Sequence, residues 1–334
     1  MKIAVIGSGG WGTALAAMLA KNGNEVIMWS FEHAEYERLK NDRENRAFLP
    51  GVLFPEGLEC TEDISVAKDA ELIVMAVPSF AVRSTAAKLS PYISENQIIV
   101  NVAKGIEKGT SKRLSEIIEE EIESKCDVAV LSGPSHAEEV GRGVPTAIIA
   151  TSRSQKAAET VQNVFMNDKF RVYITDDIIG VELGAALKNV MALAAGICDG
   201  LGLGDNSKAA LMTRGLAETV RLGTALGGKQ ETFAGLAGLG DLIVTCMSMH
   251  SRNRRAGILL GQGVSAEKVP EKIGGVVEGY FATQSAMQLA KKVGIEMPIT
   301  EQVAKVLFEG ADPRNALDAL MTRDKKKESG TAWS

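Results

Sequence analysis

A lysine stands inside a long apolar stretch in the second half of the chain. Residues 183–196 read Leu-Gly-Ala-Ala-Leu-Lys-Asn-Val-Met-Ala-Leu-Ala-Ala-Gly, and the lysine is Lys188. In a desolvated pocket the pKa of a lysine falls to roughly 7–8, where the amine donates or accepts a proton near neutral pH. The alternative is a lysine whose stem packs while its amine reaches solvent. We predict that Lys188 is an acid–base group and that the amide of Asn189 supplies a hydrogen bond beside it.

A carboxylate and an arginine cluster follow farther along the chain. Asp241 ends the glycine-rich segment at residues 235–241, and it is a candidate to orient Lys188 or a substrate hydroxyl. The alternative for Asp241 is a helix N-cap. Residues 251–255 read Ser-Arg-Asn-Arg-Arg in a chain of net charge -5. Because a guanidinium binds two phosphate oxygens at once, this cluster indicates a local anion site; the alternative is a run of surface charge.

The chain begins with a buried-strand pattern that leads into a glycine-rich turn. Ile3 to Ile6 is continuously apolar, and Gly7-Ser-Gly-Gly-Trp-Gly12 and an alanine-rich helical stretch follow. Gly7 allows a tight turn, Gly9 lets the backbone approach a pyrophosphate, and Gly12 lets the helix pack close to the sheet. The N-terminus of that helix directs free N–H groups at the phosphates. We interpret this segment as a dinucleotide site; the alternative is a turn that binds nothing.

Seven short apolar runs, separated by helical patterns, predict a mostly parallel, doubly wound sheet in the first half. The predicted strands cover residues 2–6, 25–29, 72–77, 98–102, 128–131, 146–150 and 170–174. The loops at residues 77–79, 103–105 and 132–135 should share the sheet edge that holds Gly9. After about residue 176 the pattern is helical. We therefore predict an α/β dinucleotide-binding domain at residues 1–177 and a helical substrate domain at residues 178–330.

The composition limits the classes of function. A net charge of -5 over 334 residues argues against a surface for nucleic acid or another polyanion over the whole protein. The four cysteines form no Cys-x-x-Cys pair and only three histidines are present, so we expect no metal site and reduced thiols in the cytoplasm. We expect no signal peptide, and no transmembrane helix because no apolar stretch reaches about 18 residues.

Further motifs run in order over nearly the whole chain. They include Gly7-x-Gly-x-Trp-Gly-Thr-Ala-Leu, Phe48-Leu-Pro, Val77-Pro-Ser, Lys104-Gly-Ile-Glu, Leu131-Ser-Gly-Pro-Ser, Cys198-Asp-Gly, Ala237-Gly-Leu-Gly-Asp-Leu, Ser251-Arg-Asn-Arg-Arg and Val277-Glu-Gly-Tyr. With the segment around Lys188, they make the sequence similar to the NAD(P)-dependent glycerol-3-phosphate dehydrogenases of the soluble bacterial type.

The resemblance implies a Rossmann domain followed by an all-helical C-terminal domain, with the active site between them and often a homodimer. It implies interconversion of dihydroxyacetone phosphate and sn-glycerol 3-phosphate, which supplies glycerophospholipid synthesis. Lys188 is then the proton donor and acceptor, and Asp241 assists it. Lys104 adds a second cation and lowers the pKa of Lys188 by like-charge repulsion. Arg252 holds the substrate phosphate.

The resemblance and the motifs together predict two sets of contacts. The predicted substrate contacts are Lys104, Gly133, Ser135, Lys188, Asn189, Asp241, Thr245, Ser251, Arg252 and Asn253. The predicted cofactor contacts are Gly7, Gly9, Gly10, Trp11, Gly12, Phe31, Glu32, Lys104, Ala137, Arg252, Val276 and Glu278.

The segment after the second predicted strand departs from the bacterial pattern. Many relatives have Arg or His where an NADP 2′-phosphate would lie, whereas residues 29–33 here read Trp-Ser-Phe-Glu-His. Glu32 lies 20 residues after Gly12, the spacing of an acid that binds a ribose 2′-hydroxyl. Phe31 is a candidate to stack on the adenine, and its alternative role is core packing. We predict that NAD or NADP is the cofactor, with NAD favoured.

Two other classes of function are compatible with parts of the sequence. One is another dehydrogenase with a Rossmann and a helical domain, acting on a hydroxyacid or a hydroxyacyl-CoA. The arginine cluster and the Gly-Leu-Gly-Asp segment argue against it. The other is a non-catalytic NAD-binding redox sensor, which would need a DNA-binding module. The sequence shows neither helix-turn-helix spacing nor a basic face.

Overall fold

One sheet organises the first half of the protein. The computed structural model describes residues 1–325, 327 and 328, so the predicted end of the second domain at residue 330 lies outside the described residues. The strands are β1 (Lys2–Ile6), β2 (Glu25–Trp29), β3 (Leu58–Thr61), β4 (Leu72–Met75), β5 (Ile98–Asn101), β6 (Asp127–Ser132), β7 (Thr146–Ser152) and β8 (Phe170–Thr175). Their order is β3-β2-β1-β4-β5-β6-β7-β8. β7 runs antiparallel to β6, and every other pair is parallel.

The predicted mostly parallel sheet is therefore confirmed, but one strand is missing from the prediction. β3 lies at the edge of the sheet next to β2. It has four residues, and of these only Leu58 is buried. An edge strand that is half exposed lacks the continuous apolar run that marks a central strand such as β4, in which all four residues are buried.

Helices cover both faces of the sheet, as a doubly wound arrangement requires. The helices of this half are α1 (Gly10–Lys21), α2 (His33–Asp42), α3 (Val82–Leu89), α4 (Leu114–Glu121), α5 (Ala137–Gly141) and α6 (Gln155–Phe165). α1, α5 and α6 contribute to one buried apolar cluster with one face of the sheet. α3 and α4 contribute to the cluster on the other face.

The second half is helical, and no strand follows Thr175 in the part of the chain that the structure describes. Its helices are α7 (Ile178–Gly200), α8 (Asp205–Ala225), α9 (Gln230–Ala234), α10 (Asp241–Met247), α11 (Arg252–Gly261), α12 (Val269–Ile273), α13 (Glu278–Val293), α14 (Pro298–Phe308) and α15 (Pro313–Met321). The glycine-rich residues Leu236–Gly240 form a π-helical turn that runs directly into α10.

α7 is the central helix of this half. Asp177 caps its N-terminus, since its carboxylate accepts the Gly180 N–H at 2.8 Å. By length and composition alone α7 is apolar enough to cross a membrane, contrary to the expectation from the sequence. However, 94% of its apolar window is buried inside the protein, so it is the core helix of the helical half.

Glycines bring α7 and α11 into backbone contact. A Cβ on Gly196 would lie 2.0 Å from the Arg254 carbonyl oxygen, and a Cβ on Gly257 would lie 2.1 Å from the Leu193 carbonyl oxygen. No side chain fits in either place, so the two helices approach more closely than alanine would allow. This contact fixes the start of α11, residues 251–253, against the middle of α7.

Candidate active site

The carboxyl ends of β1, β4, β5 and β6 lie at one edge of the sheet, and the predicted loops meet there. Lys104 follows β5, and Gly133 and Ser135 follow β6. The Lys104 ammonium donates to the Gly133 carbonyl oxygen at 2.8 Å and to Ser135 Oγ at 3.4 Å. The prediction that these loops share one edge is confirmed, and the edge faces α10 because Lys104 also reaches Asp241.

The glycine-rich turn has the geometry that a pyrophosphate needs. Gly7 has φ +122°, and a Cβ there would lie 2.7 Å from the Ala76 carbonyl oxygen, so no other residue fits this turn. Gly9 is the N-cap of α1, and a Cβ there would meet open space. Gly12 packs on the Gly7 carbonyl oxygen. The Trp11 indole N–H is buried without a partner among the described residues. An open helix N-terminus beside an unused donor fits a dinucleotide phosphate.

Three other predicted cofactor contacts are Ala137, Glu278 and Val276. A Cβ on Gly10 would lie 3.7 Å from Ala137 Cβ, so α1 and α5 begin side by side. Glu278, at the start of α13, accepts the Ser79 N–H at 3.2 Å and the Ser79 hydroxyl at 2.5 Å. Burial raises the pKa of Glu278. Both carboxylate oxygens of Glu278 thus bind Ser79, in the loop after β4. No pattern in the sequence predicts this contact. Val276 precedes α13 and is partly exposed.

One carboxylate joins two lysines between the sheet edge and the helical half. Asp241 Oδ1 accepts from Lys188 Nζ at 2.5 Å, and Asp241 Oδ2 accepts from Lys104 Nζ at 2.8 Å. Lys188 Nζ also lies 2.7 Å from Thr245 Oγ1, one turn along α10. Asp241 is 1% exposed and Lys188 is 6% exposed. The solvent-exposed alternative for Lys188 is therefore wrong. The N-cap alternative for Asp241 is also wrong, because Gly240 is the N-cap.

The charges in this cluster do not balance, since two ammonium groups share one carboxylate. The pKa of Lys188 is lowered to about 8, because burial and, to a lesser degree, the charge of Lys104 outweigh the opposing effect of Asp241. Although burial alone raises the pKa of Asp241, the two lysines hold it below its usual value. Lys188 therefore titrates near neutral pH, as the sequence predicted, while Asp241 stays ionised.

The three arginines at residues 252–255 have different surroundings. Arg254 donates to Asp199 Oδ2 at 2.8 Å and is part of the structure of the helical half. Arg255 Nε is buried without a partner among the described residues. Arg252 is exposed at the first position of α11, and its charge acts on the carboxylate of Glu278. Its guanidinium lies beside Gly275, where a Cβ would be 2.9 Å from Arg252 Nη1. Arg252 is thus the arginine of the three that an anion can reach from solvent.

The predicted amide and hydroxyl contacts form a network that connects three helices. Asn253 donates to Asn189 Oδ1 at 2.9 Å and accepts the Gly279 N–H at 2.9 Å. The Ser251 hydroxyl caps α11 by accepting the Arg254 N–H at 3.2 Å. Asn189, on α7, adjoins Lys188. This network therefore holds Arg252 in register with the lysine cluster.

His136 is a site neighbour that the sequence analysis missed. It follows Ser135 directly, and burial lowers its pKa, as do the nearby Lys188 and Lys104. Its Nε2 is buried without a hydrogen-bond partner in the described structure. The only available signal was its position next to a predicted substrate contact at a strand end.

A mostly parallel sheet with a phosphate-binding turn, facing a buried lysine on a helical layer, defines a nicotinamide-dependent oxidoreductase. Comparison with known proteins agrees. The protein-family model for the N-terminus of NAD-dependent glycerol-3-phosphate dehydrogenases matches residues 2–158. The family model for the C-terminus of these enzymes matches residues 177–318. The chain belongs to the NAD-dependent glycerol-3-phosphate dehydrogenase family, so the alternative classes of function considered above are not supported.

Individual relatives match along the whole chain. A glycerol-3-phosphate dehydrogenase (NAD(P)+) of Fusobacterium nucleatum subsp. nucleatum is 55% identical over 330 residues, which cover 98% of each chain. The crystal structure of glycerol-3-phosphate dehydrogenase from Coxiella burnetii is 42% identical, with a TM-score of 0.93 over 96% of this chain and 99% of that chain. The enzyme from Saccharomyces cerevisiae is 27% identical, with a TM-score of 0.83 over 95% of this chain and 98% of that chain.

Proposed function

We propose that this chain catalyses the reversible reduction of dihydroxyacetone phosphate to sn-glycerol 3-phosphate with NAD(H) or NADP(H). The observation that supports it most directly is the hydrogen-bond inventory of Lys188. An ammonium group has three N–H donors. Two of those of Lys188 are directed at Asp241 and Thr245, so one is left for a substrate oxygen.

Lys104 differs from Lys188 in this respect. Its contacts are the Gly133 carbonyl, Ser135 Oγ and Asp241 Oδ2, which occupy all three of its donors. We therefore assign the proton transfer to Lys188. Lys104 contributes a positive charge and holds the loop after β6, while Asp241 and Thr245 orient the Lys188 ammonium.

A nicotinamide cofactor, held by the glycine-rich turn at residues 7–12, would supply the hydride to C2 of the ketone or accept it from C2 of the alcohol. As negative charge grows on the ketone oxygen, the Lys188 ammonium stabilises it and transfers a proton to it. In the reverse direction, neutral Lys188 accepts the proton of the C2 hydroxyl. Asp241 fixes the position of the Lys188 ammonium, and Lys104 in turn fixes Asp241. The site therefore needs little reorganisation when the proton is transferred.

Arg252 is proposed to bind the phosphate of the substrate. It is exposed and lies at the N-terminus of α11. A guanidinium fork and the helix N-terminus both favour a phosphate. The remaining predicted contacts, Gly133, Ser135, Asn189, Ser251 and Asn253, keep their proposed roles around the same cluster. Binding through the phosphate places the ketone at Lys188.

The cofactor preference is proposed to favour NAD. Glu32 is the N-cap of α2 and is exposed at the end of β2, where an acid accepts a hydrogen bond from a ribose 2′-hydroxyl and repels a 2′-phosphate. Phe31 is 66% exposed, so its core-packing alternative is wrong and its proposed contact with the adenine stands. Replacing Glu32 by Arg should shift the ratio of kcat/KM values toward NADPH.

The finer points of organisation are also proposals. The domain boundary at residues 177 and 178 is supported by the end of β8 at Thr175 and the start of α7 at Ile178. A homodimer is proposed from the resemblance to the family. A cytoplasmic location and a role in glycerophospholipid synthesis follow from the proposed reaction and the free cysteines.

The decisive experiment measures NADH and NADPH oxidation with dihydroxyacetone phosphate, with unphosphorylated dihydroxyacetone and with a panel of hydroxyacid and hydroxyacyl-CoA partners. We expect turnover with the phosphorylated ketone and very little with the free ketone. Equal kcat/KM values for the two ketones would contradict the phosphate site. Light scattering on the same sample tests the proposed dimer.

A further inference from the structure

An exposed aromatic ring stands at the end of β2. Phe31 is 66% exposed and meets the ring of Trp29 edge-on, with centroids 6.0 Å apart and planes at 65°. Trp29 is buried and donates its indole N–H to the Glu62 carbonyl oxygen at 3.0 Å. Phe31 therefore presents an apolar surface outside the core, next to Glu32 in the sequence.

A lysine from another element lies on this ring. Lys88 is in the last turn of α3, and its Nζ is 4.9 Å from the centroid of Phe31. No carboxylate pairs with Lys88 among the residues that the structure describes. Arg83, on the same helix, differs: it donates to Glu107 at 2.7 Å and also pairs with Glu120 and Glu121. Thus Arg83 is used within the fold, while Lys88 has only a weak exposed cation–π contact.

Lys88 lies on the ring of Phe31, the residue directly before Glu32, and the inference rests on this proximity. An acid at the position of Glu32 contacts the 2′-hydroxyl of the adenosine ribose, and a nearby cation accommodates a 2′-phosphate in its place. We propose that Lys88 is the residue that binds the 2′-phosphate of NADP(H), and that it offsets Glu32 so that both cofactors are accepted. This inference rests on the proposed position of the adenosine beside Phe31 and Glu32.

The chemistry of the side chains fits this assignment. A lysine ammonium on a flexible stem can leave the Phe31 ring for a phosphate, which is a far stronger partner than an aromatic face at the surface. Phe31 keeps the stem near the ribose when no phosphate is present. A 2′-hydroxyl requires no cation, so Lys88 should contribute little to the binding of NAD(H).

The test uses two probes that differ only in the group concerned. The dissociation constants of 2′,5′-ADP and 5′-AMP are measured by calorimetry for the wild type, Lys88→Met, Lys88→Arg and a control, Lys156→Met, which removes an exposed lysine on α6. Lys88→Met should weaken 2′,5′-ADP about tenfold, as loss of a charge-assisted contact does. It should change 5′-AMP less than about twofold. Lys88→Arg should restore the binding of 2′,5′-ADP, and Lys156→Met should change neither probe.

Salt gives a second readout, because the affinity of the wild type for 2′,5′-ADP should weaken with added NaCl more steeply than the affinity of Lys88→Met. An equal loss of both probes in Lys88→Met, no loss of either, or the same loss in Lys156→Met would overturn the proposal. These binding measurements need no turnover. Failure to reduce dihydroxyacetone phosphate would therefore refute the proposed reaction while leaving the role of Lys88 to be decided by the probes.

Discussion

Two buried carboxylates join the sheet half to the helical half, and they are built differently. Glu182, on α7, accepts from Arg113 Nη1 at 2.7 Å and from the Ser115 N–H at 2.9 Å. The buried part of this cluster is one cation and one carboxylate, and Arg113 also pairs at 3.0 Å with the more exposed Glu116. Asp241 instead binds two ammonium groups, those of Lys188 and Lys104. One buried cluster is electrically balanced, and the other carries an excess positive charge.

The difference separates a structural contact from a reactive one. A balanced buried pair leaves no charge for a ligand, and burial raises the pKa of Glu182 although Arg113 opposes it. Burying an excess cation costs free energy unless an anion pairs with it. In the proposed reaction that anion is the oxygen that becomes negative during hydride transfer. The excess charge, rather than burial alone, therefore marks the reactive cluster.

Replacing Lys188, one of the two cations that bind Asp241, should have the largest effect on activity. Lys188→Met should lower kcat by about 10²–10⁴-fold, as expected for loss of a general acid, with cofactor binding largely kept. Steady-state kinetics and cofactor titration measure the two quantities. Retention of near wild-type kcat would remove Lys188 from the mechanism.

The corresponding substitution of the cation that binds Glu182 should lower stability rather than activity. Arg113→Met leaves Glu182 buried without its cation, which should cost about 3–5 kcal/mol in the free energy of unfolding. Urea denaturation measures this loss, and kcat of the folded fraction should change little. The double variant Arg113→Met with Glu182→Gln should recover part of the stability. If the single variant lost kcat but kept its stability, the assignment of this cluster as structural would be wrong.

The same contrast applies to two neighbouring arginines. Arg252→Lys keeps the charge but loses the planar fork, and should weaken substrate binding by about 1.5–3 kcal/mol. Arg254→Lys disturbs the contact with Asp199, and should change stability without a comparable effect on substrate binding. The test compares KM values for dihydroxyacetone phosphate with the unfolding midpoints. Equal effects on substrate binding would show that Arg252 has no special role.

The pH dependence should give the mildest effect. The protonated form of Lys188 is the donor for ketone reduction, and its pKa is about 8. The kcat for reduction should therefore fall as the pH rises through about 8, whereas the kcat for alcohol oxidation should rise over the same range. In Asp241→Asn both transitions should move to lower pH, because Asp241 raises the pKa of Lys188. A transition in that variant at unchanged pH would show that Asp241 does not tune Lys188.

Much of the fold and part of the site were predictable from local sequence. Seven of the strands were found because central strands are continuously apolar, whereas β3 was missed because it is a short, half-exposed edge strand. Lys188 was found because its neighbours along the helix are apolar. Glu182 lies on the same helix and is equally buried, but nothing near it in sequence indicated that Arg113 and Ser115 would hold it.

The sequence by itself determined the glycine turn, the order of strands and helices, and the residue types available at each strand end, because these depend on neighbours a few positions apart. Only the tertiary structure decided how charges are shared. Lys104 and Asp241 are 137 positions apart, and Ser79 and Glu278 are 199 apart. Which lysine keeps an unused donor, and which arginine stays exposed, depends on how the two halves pack. Local patterns do not encode such long-range contacts, since many packings satisfy the same pattern of apolar and polar residues.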